Sequence, residues 1–338
     1  MKQKIALLLG LVVSICSCNQ NSITNSNVST LIDGENMKEL ITDINFTSGF
    51  DLLTTSTNNG REVAAYLSYG GEAKNQDDLP HPWQMSQWWT HNDFQYSTFS
   101  KVDEGVFDYQ NDSRHVLVNT NNGDITLELN SMVEYQSLYG HSRTGNENWS
   151  HLLLEQNFRN APKVSTLKHI YACLDFVINK ANNMDENQAI PCAQLLWYFT
   201  ITDPKNGDAS YESGKWDGGT PNQFMWFGLP IYDSRYDFIE AYQHADSGFV
   251  GATNTIIYNI SNREYFNEKL IIGKKYSICV DILPYLKKAY LYGAENGAMD
   301  NCEWADLVIN YMNFGWELPG SFDTSVTVSK LSVKYEEK

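Results

Sequence analysis

The chain has 338 residues, 42% apolar and 13% aromatic, enough to bury a large core, and a formal charge of −17 that argues against nucleic acid and strongly anionic polymers as partners. The cysteines lack zinc-ligand spacing and the seven histidines are scattered, so no metal is expected. No phosphate loop or nucleophile elbow is present, and no cofactor is expected either.

At the amino terminus Lys2 and Lys4 precede an apolar run from Ile5 to Val13 that closes on Ile15, Cys16, Ser17 and Cys18. The run falls short of the roughly 20 apolar residues that span a bilayer. It resembles a bacterial lipoprotein signal with Ile15 and Cys16 in variant positions, an ordinary cleaved secretion signal being the alternative. The resemblance implies removal of residues 1–17, acylation of Cys18 and a lipid-anchored protein of the bacterial cell envelope, at the outer membrane. The remaining 22 basic and 41 acidic side chains leave −19, which suits neutral ligands. Residues 18–36, rich in Asn and Ser, read as a flexible tether, and residues 37–338 as one domain without internal repeat or second linker.

Within that domain the clearest strands are His115–Thr120 and Asp124–Leu129, joined across Asn122 and Gly123, which supply the positive φ of a tight hairpin. Further strands are predicted at Ser150–Phe158, Ile170–Asn179, Ala193–Thr202, Phe224–Tyr232, Thr255–Ile260, Tyr276–Ile282, Asp306–Trp316 and Thr324–Val333. One helix is predicted over Asp281–Gly293, where Leu283, Leu286 and Tyr290 share a face and Gly293 is a natural stop. These elements predict an all-β fold, a single antiparallel β-sandwich of jelly-roll kind with one short helix near the C-terminus; two smaller sandwiches are the alternative. Export makes disulfides possible, and the local pairs Cys173–Cys192 and Cys279–Cys302 are expected unless all four remain buried thiols.

Neighbours on a strand point to opposite faces, so each segment divides by parity. In "HLLLEQNF" His151, Leu153, Glu155 and Asn157 oppose an apolar set; in "AQLLWYFTI" Gln194, Leu196, Tyr198 and Thr200 do so. In "DLVINYMNFGWEL" Tyr311, Asn313, Gly315 and Glu317 form the polar face, and a bulge at Gly315 would swap the last two. Amides, carboxylates and rings are what a sugar needs, with hydroxyls hydrogen-bonded and C–H faces stacked. Tyr198, Trp226, Tyr232 and Tyr311 are candidate stacking residues, with Gln194 and Asn313 as polar contacts. The loop-like stretch "PHPWQMSQWWTHND" adds Trp83, Trp88 and Trp89 as recognition residues, core burial being the competing expectation.

The segment "INYMNFGWELPGSFDTSVTVSKLSV" resembles the end of glycoside hydrolase family twelve, jelly-roll endoglucanases of the concanavalin-like class. The resemblance puts Glu317 at the acid/base position and Gly320 at the glycine that follows, and the late helix in the corresponding place. The family's nucleophilic glutamate is replaced: Gln194 stands there, and an amide cannot attack an anomeric carbon. A membrane-anchored protein binding a neutral oligo- or polysaccharide in a concave groove is therefore expected. Endo-acting hydrolysis, with Glu317 as acid and Glu155 as second carboxylate, is one alternative, and a structural envelope protein is another.

Overall fold

The structure, a computed structural model, describes residues 36–55, 62–70, 81–159, 161–187, 189–204, 223–247 and 252–338. The signal segment, Cys18 and nearly all of the tether lie outside the described residues.

Seventeen strands and two α-helices are present among the described residues. In chain order they are β1 (Lys38–Glu39), β2 (Phe50–Leu53), β3 (Val63–Leu67), β4 (Trp83–Ser86), β5 (Thr98–Asp103), β6 (Val106–Gln110), β7 (Arg114–Asn119), β8 (Asp124–Asn130) and α1 (Ser131–Tyr139). There follow β9 (Ser150–Asn157), β10 (Leu167–Asn183), β11 (Gln194–Thr202), β12 (Phe224–Asp233), β13 (Tyr242–Ala245), β14 (Ile256–Asn259), β15 (Lys275–Asp281), α2 (Leu283–Glu295), β16 (Val308–Leu318) and β17 (Phe322–Glu337).

The strands form a β-sandwich of the jelly-roll kind. One sheet has eight strands, in the order β15-β10-β17-β8-β7-β6-β5 with β1 beside β17; the other has nine, β13-β14-β12-β11-β16-β9-β4-β2-β3. Pairing is antiparallel except at β12–β14 and β2–β4, which run parallel. One apolar cluster extends from Ile41 to Val333 and draws on both sheets. Alternation determines membership: Leu152 and Leu154 of β9, Leu195, Trp197, Phe199 and Ile201 of β11, and Met312, Phe314 and Trp316 of β16 all belong to it.

All ten predicted strands are present, but β1–β6 and β13 went unpredicted, as did α1. Helix α1 is capped by the Asn130 side chain, which accepts from the Val133 N–H at 3.3 Å, and ends on Gly140 in the left-handed conformation. Its mixed composition gives no apolar stripe to detect. Helix α2 does not stop at Gly293; it runs through to Glu295. A Cβ at Gly293 would lie 2.9 Å from Met225 Sδ, so this glycine is a packing contact.

The expected cysteine pairing is wrong. Cys173 is bonded to Cys279, its direct partner across β10 and β15, while Cys192 and Cys302 are buried and form no disulfide among the described residues. Strand pairing places residues 106 apart in sequence side by side, which loop length alone does not foresee.

Candidate functional site

The outer face of the nine-stranded sheet carries the polar sets of β9, β11 and β16, and register shows how they align. Gln194 lies directly opposite Glu317, Glu317 opposite His151, and Gln194 opposite Asp233 on its other side. The His151 N–H donates to Trp88 O at 3.2 Å, carrying this row past the end of β4. Four residues along the strands a second row holds Gln84, Glu155, Asn313, Tyr198, Gly228, Asn259 and Tyr242. Register runs through Gly315 without a shift, so no bulge swaps Trp316 with Glu317. A Cβ at Gly315 would lie 2.2 Å from Leu152 O, a contact only glycine escapes.

The first row opens to solvent at Glu317, Gln194 and Trp88, while His151 and Asp233 are buried. The Glu317 side chain retains 18% exposure, and Gln194, Trp88 and Trp149 are half-buried. Burial, with the Asp246 carboxylate adding repulsion, pushes the Glu317 carboxyl up to about 7. His151 Nε2 is 3.8 Å from Glu317 Oε2, too long for a hydrogen bond, and instead accepts from the Trp149 indole N–H at 2.8 Å. Burial pushes this imidazole down to about 4, so it is neutral at physiological pH. The guanidinium of Arg143 lies 5.6 Å from the Trp149 ring centre, and the Trp88 ring meets His151 edge-on at 5.9 Å. On the other side of Glu317, Gln194 Nε2 donates to Asp233 Oδ2 at 2.9 Å, and Arg235 grips the same carboxylate through Nε (2.9 Å) and NH2 (2.6 Å).

The second row is buried between its half-buried ends, Gln84 and Tyr242. Glu155 accepts from Ser86 Oγ and has no exposed surface. Asn313 Oδ1 and both amide ends of Asn259 are buried without a hydrogen-bond partner. Gly228 makes their packing possible, since a Cβ there would lie 1.9 Å from Asn259 Oδ1 and 2.5 Å from Tyr198 Cε1.

Several predicted contacts fall elsewhere. Trp83 is fully buried in the core against Phe46, its indole N–H donating to Asp43 O at 2.8 Å, because its parity on β4 faces the other sheet. Tyr232 also turns from the outer face: a register shift between Leu195 and Leu196 pairs it with core-facing Leu195, and its ring meets Trp316 edge-on at 6.3 Å. Tyr198, Trp226 and Tyr311 share the outer face but pack on one another with Leu196 and Phe224, ring centres about 6 Å apart, with little or no exposure. Glu155 stands four register positions from Glu317, about 13 Å along the strands at roughly 3.3 Å per residue. Trp149, which the sequence reading passed over, is bonded to His151, the imidazole next to the carboxyl; only its spacing of two from His151 could have pointed to it. No cluster of potential metal ligands occurs among the described residues.

No family model and no curated protein matches the sequence. Solved structures do align with it at low identity. A meso-active, thermostable cellulase derived from the Rhodothermus marinus enzyme is 11% identical over 71% of this chain and 99% of that one, with a TM-score of 0.40. A family 12 xyloglucanase from Bacillus licheniformis is 12% identical over 70% and 95%, TM-score 0.38. The family 11 xylanase from Neocallimastix patriciarum is 11% identical over 72% and 97%, TM-score 0.37.

Proposed function

We propose that the outer face of the nine-stranded sheet binds a neutral oligo- or polysaccharide, with Glu317 at the centre of the contact. The observation that carries this reading is the accessible row itself, which the proposal takes as a binding trough: a carboxyl with a pKa near neutrality lies opposite an oriented amide at Gln194 on one side and opposite His151 on the other, and the rings of Trp88 and Trp149 both meet that imidazole. Such a line offers donor, acceptor and ring face to a polyol that needs all three. Calorimetric titration with glucan, xylan and mannan oligosaccharides should give saturable binding to at least one, lost in Glu317→Ala; no heat with any of them would defeat the proposal.

Hydrolysis is the second reading, favoured by a Glu317 that holds its proton near neutral pH. Glu155 is poorly placed as its partner, since retaining and inverting enzymes hold their carboxyls about 5–5.5 Å and 6.5–9.5 Å apart. Release of reducing ends by the wild type, abolished in both Glu317→Gln and Glu155→Gln, would establish it. Silence in the wild type with activity in Gln194→Glu, which puts a carboxyl directly opposite Glu317, would assign the native protein to binding.

The proposal extends to the amino terminus: acylation of Cys18 would hold the binding face at the cell envelope. Metabolic labelling with an alkynyl fatty acid should mark the wild type and not Cys18→Ala.

A further inference from the structure

Beyond the trough, the stretch Trp88–Asn92 is held with unusual outlay. Trp89 adopts a left-handed backbone, φ +59°, rare for a bulky ring. Its N–H donates to Thr55 O at 2.8 Å. The next three residues are fastened to one buried carboxylate: Glu134 of α1 accepts from Thr90 Oγ1 at 2.7 Å and from the N–H groups of His91 and Asn92 at 2.6 and 3.0 Å. Glu134 is itself paired with the fully buried Arg114 and accepts from Ser113 Oγ at 2.5 Å. The core does not require Trp89 in this posture, since its ring is half-buried and lies outside the apolar cluster.

What the posture creates is a cavity of about 240 Å³ between this turn and α1, lined by Trp89, Thr90, His91, Tyr135, Tyr139 and Asn148 among others. It is smaller than the roughly 300–1,000 Å³ of drug-sized sites, so its occupant is about one ring in size. The lining sets aromatic faces beside amide, hydroxyl and imidazole groups, the same pairing of C–H stacking and hydroxyl bonding that a pyranose needs. The cavity also continues the accessible row. Asn148 on its wall precedes Trp149, whose indole bonds His151 at 2.8 Å, and His151 is 3.8 Å from Glu317. Helix α1 contributes Glu134, Tyr135, Leu138 and Tyr139 to the wall, with Glu134 saturated by Arg114 and its other partners.

We infer that this cavity is a terminal subsite taking one pyranose ring at the end of a glycan chain, so that the protein recognises chain ends instead of the middle of a polymer. This rests on the glycan reading of the trough. The test uses the hexasaccharides of cellulose, xylan and mannan, the parent polymers, and three variants: Trp89→Asn, whose new residue tolerates the left-handed backbone, Tyr139→Ala, and Glu317→Ala for the trough. A hexasaccharide bound by the wild type is expected to bind about tenfold more weakly to Trp89→Asn and to Tyr139→Ala, with Tm preserved. Wild-type affinities for hexasaccharide and polymer should coincide per chain end and diverge per sugar residue. Wild-type affinity in both cavity variants, with binding lost in Glu317→Ala, overturns the terminal subsite and leaves the trough standing; affinities that coincide per sugar residue overturn it as well. A wild type that binds none of the probes overturns both readings.

Discussion

The two sheets present opposite kinds of outer face. On the eight-stranded sheet charges are compensated in pairs: Lys180 lies 2.9 Å from Asp323 and 3.4 Å from Glu128, and Asp175 sits between Lys275 at 3.1 Å and Lys330 at 3.2 Å. His115 stands between Asp108 and Glu128 at 3.2 and 3.6 Å. On the nine-stranded sheet Asn259 and Asn313 keep buried polar atoms without partners, and Glu317 holds a proton because its surroundings disfavour charge. Each unpaired buried group costs about 1–3 kcal/mol; on the ladder the buried His115 Nε2 and Asp108 Oδ1 also lack a hydrogen bond but lie 3.2 Å apart as an ion pair, whereas the neutral amides of Asn259 and Asn313 have no such compensation.

Buried and exposed compensation can be weighed on β7 itself, where Arg114 pairs with Glu134 out of reach of water and the next residue, His115, belongs to the exposed ladder. Arg114→Met leaves Glu134 buried and uncompensated beneath the Trp88–Asn92 turn and should destabilise the protein by about 3–5 kcal/mol in urea unfolding. Arg114→Met combined with Glu134→Leu should recover much of that loss, because the stranded charge is gone. A cost below about 1 kcal/mol for the single variant, the range of exposed pairs, would mean that this buried pair does not differ in kind from those on the ladder.

Next in size is the pH dependence centred on Glu317. Its folded pKa, about 7 against an ordinary 4.5, means that the folded state holds more protons than the unfolded chain through that interval, so its contribution falls as pH rises from 4.5 to 7. His151, lowered to about 4, acts oppositely: its contribution is lost as pH falls below 6.5. The two slopes offset one another between about 4.5 and 6.5. Glu317→Gln should remove the first and expose the second, leaving the variant more stable than wild type by an amount on the order of 3 kcal/mol above neutrality and indistinguishable near pH 4. Parallel stability profiles for the two proteins would show that Glu317 ionises as an ordinary surface acid.

Much of the sandwich was legible because alternation is a local signal: the apolar sets of β9, β11 and β16 could be read from parity alone, and they form the core. Short strands such as β2 and β4 carry too few residues for a period to stand out, and their pairing is parallel and distant in sequence. The site was legible only in part. Parity puts Glu155 and Glu317 on the same face, yet register, which no single strand reveals, sets them four positions apart. Trp83 and Tyr232 failed for related reasons, one because β4 was not recognised as a strand and the other because a bulge reversed its side. Trp149 was missed for a local reason: it stands two residues before His151, just outside the segment whose parity was read.

The smallest effect belongs to the compensated face, and its size is what gives the contrast meaning. The Glu128 carboxylate, then Asp108, raises His115 above its usual 6.5 against the opposing effect of burial, while His115 is the largest influence holding Glu128 down at about 2. The histidine therefore stabilises fully below pH 6.5 and ceases to do so as pH rises through its raised pKa; the carboxylate stabilises above 4.5 and ceases to as pH falls towards 2. Their pairing is strongest between those limits. Water reaches about a third of each side chain and weakens the attraction, so His115→Gln should cost less than about 1 kcal/mol at pH 6 and nothing measurable at pH 9. A proton NMR titration of the His115 ring, shifted downward in Glu128→Gln, measures the coupling directly. If that small, pH-bounded cost proved as large as the loss from Arg114→Met, surface compensation and buried fastening would be one mechanism.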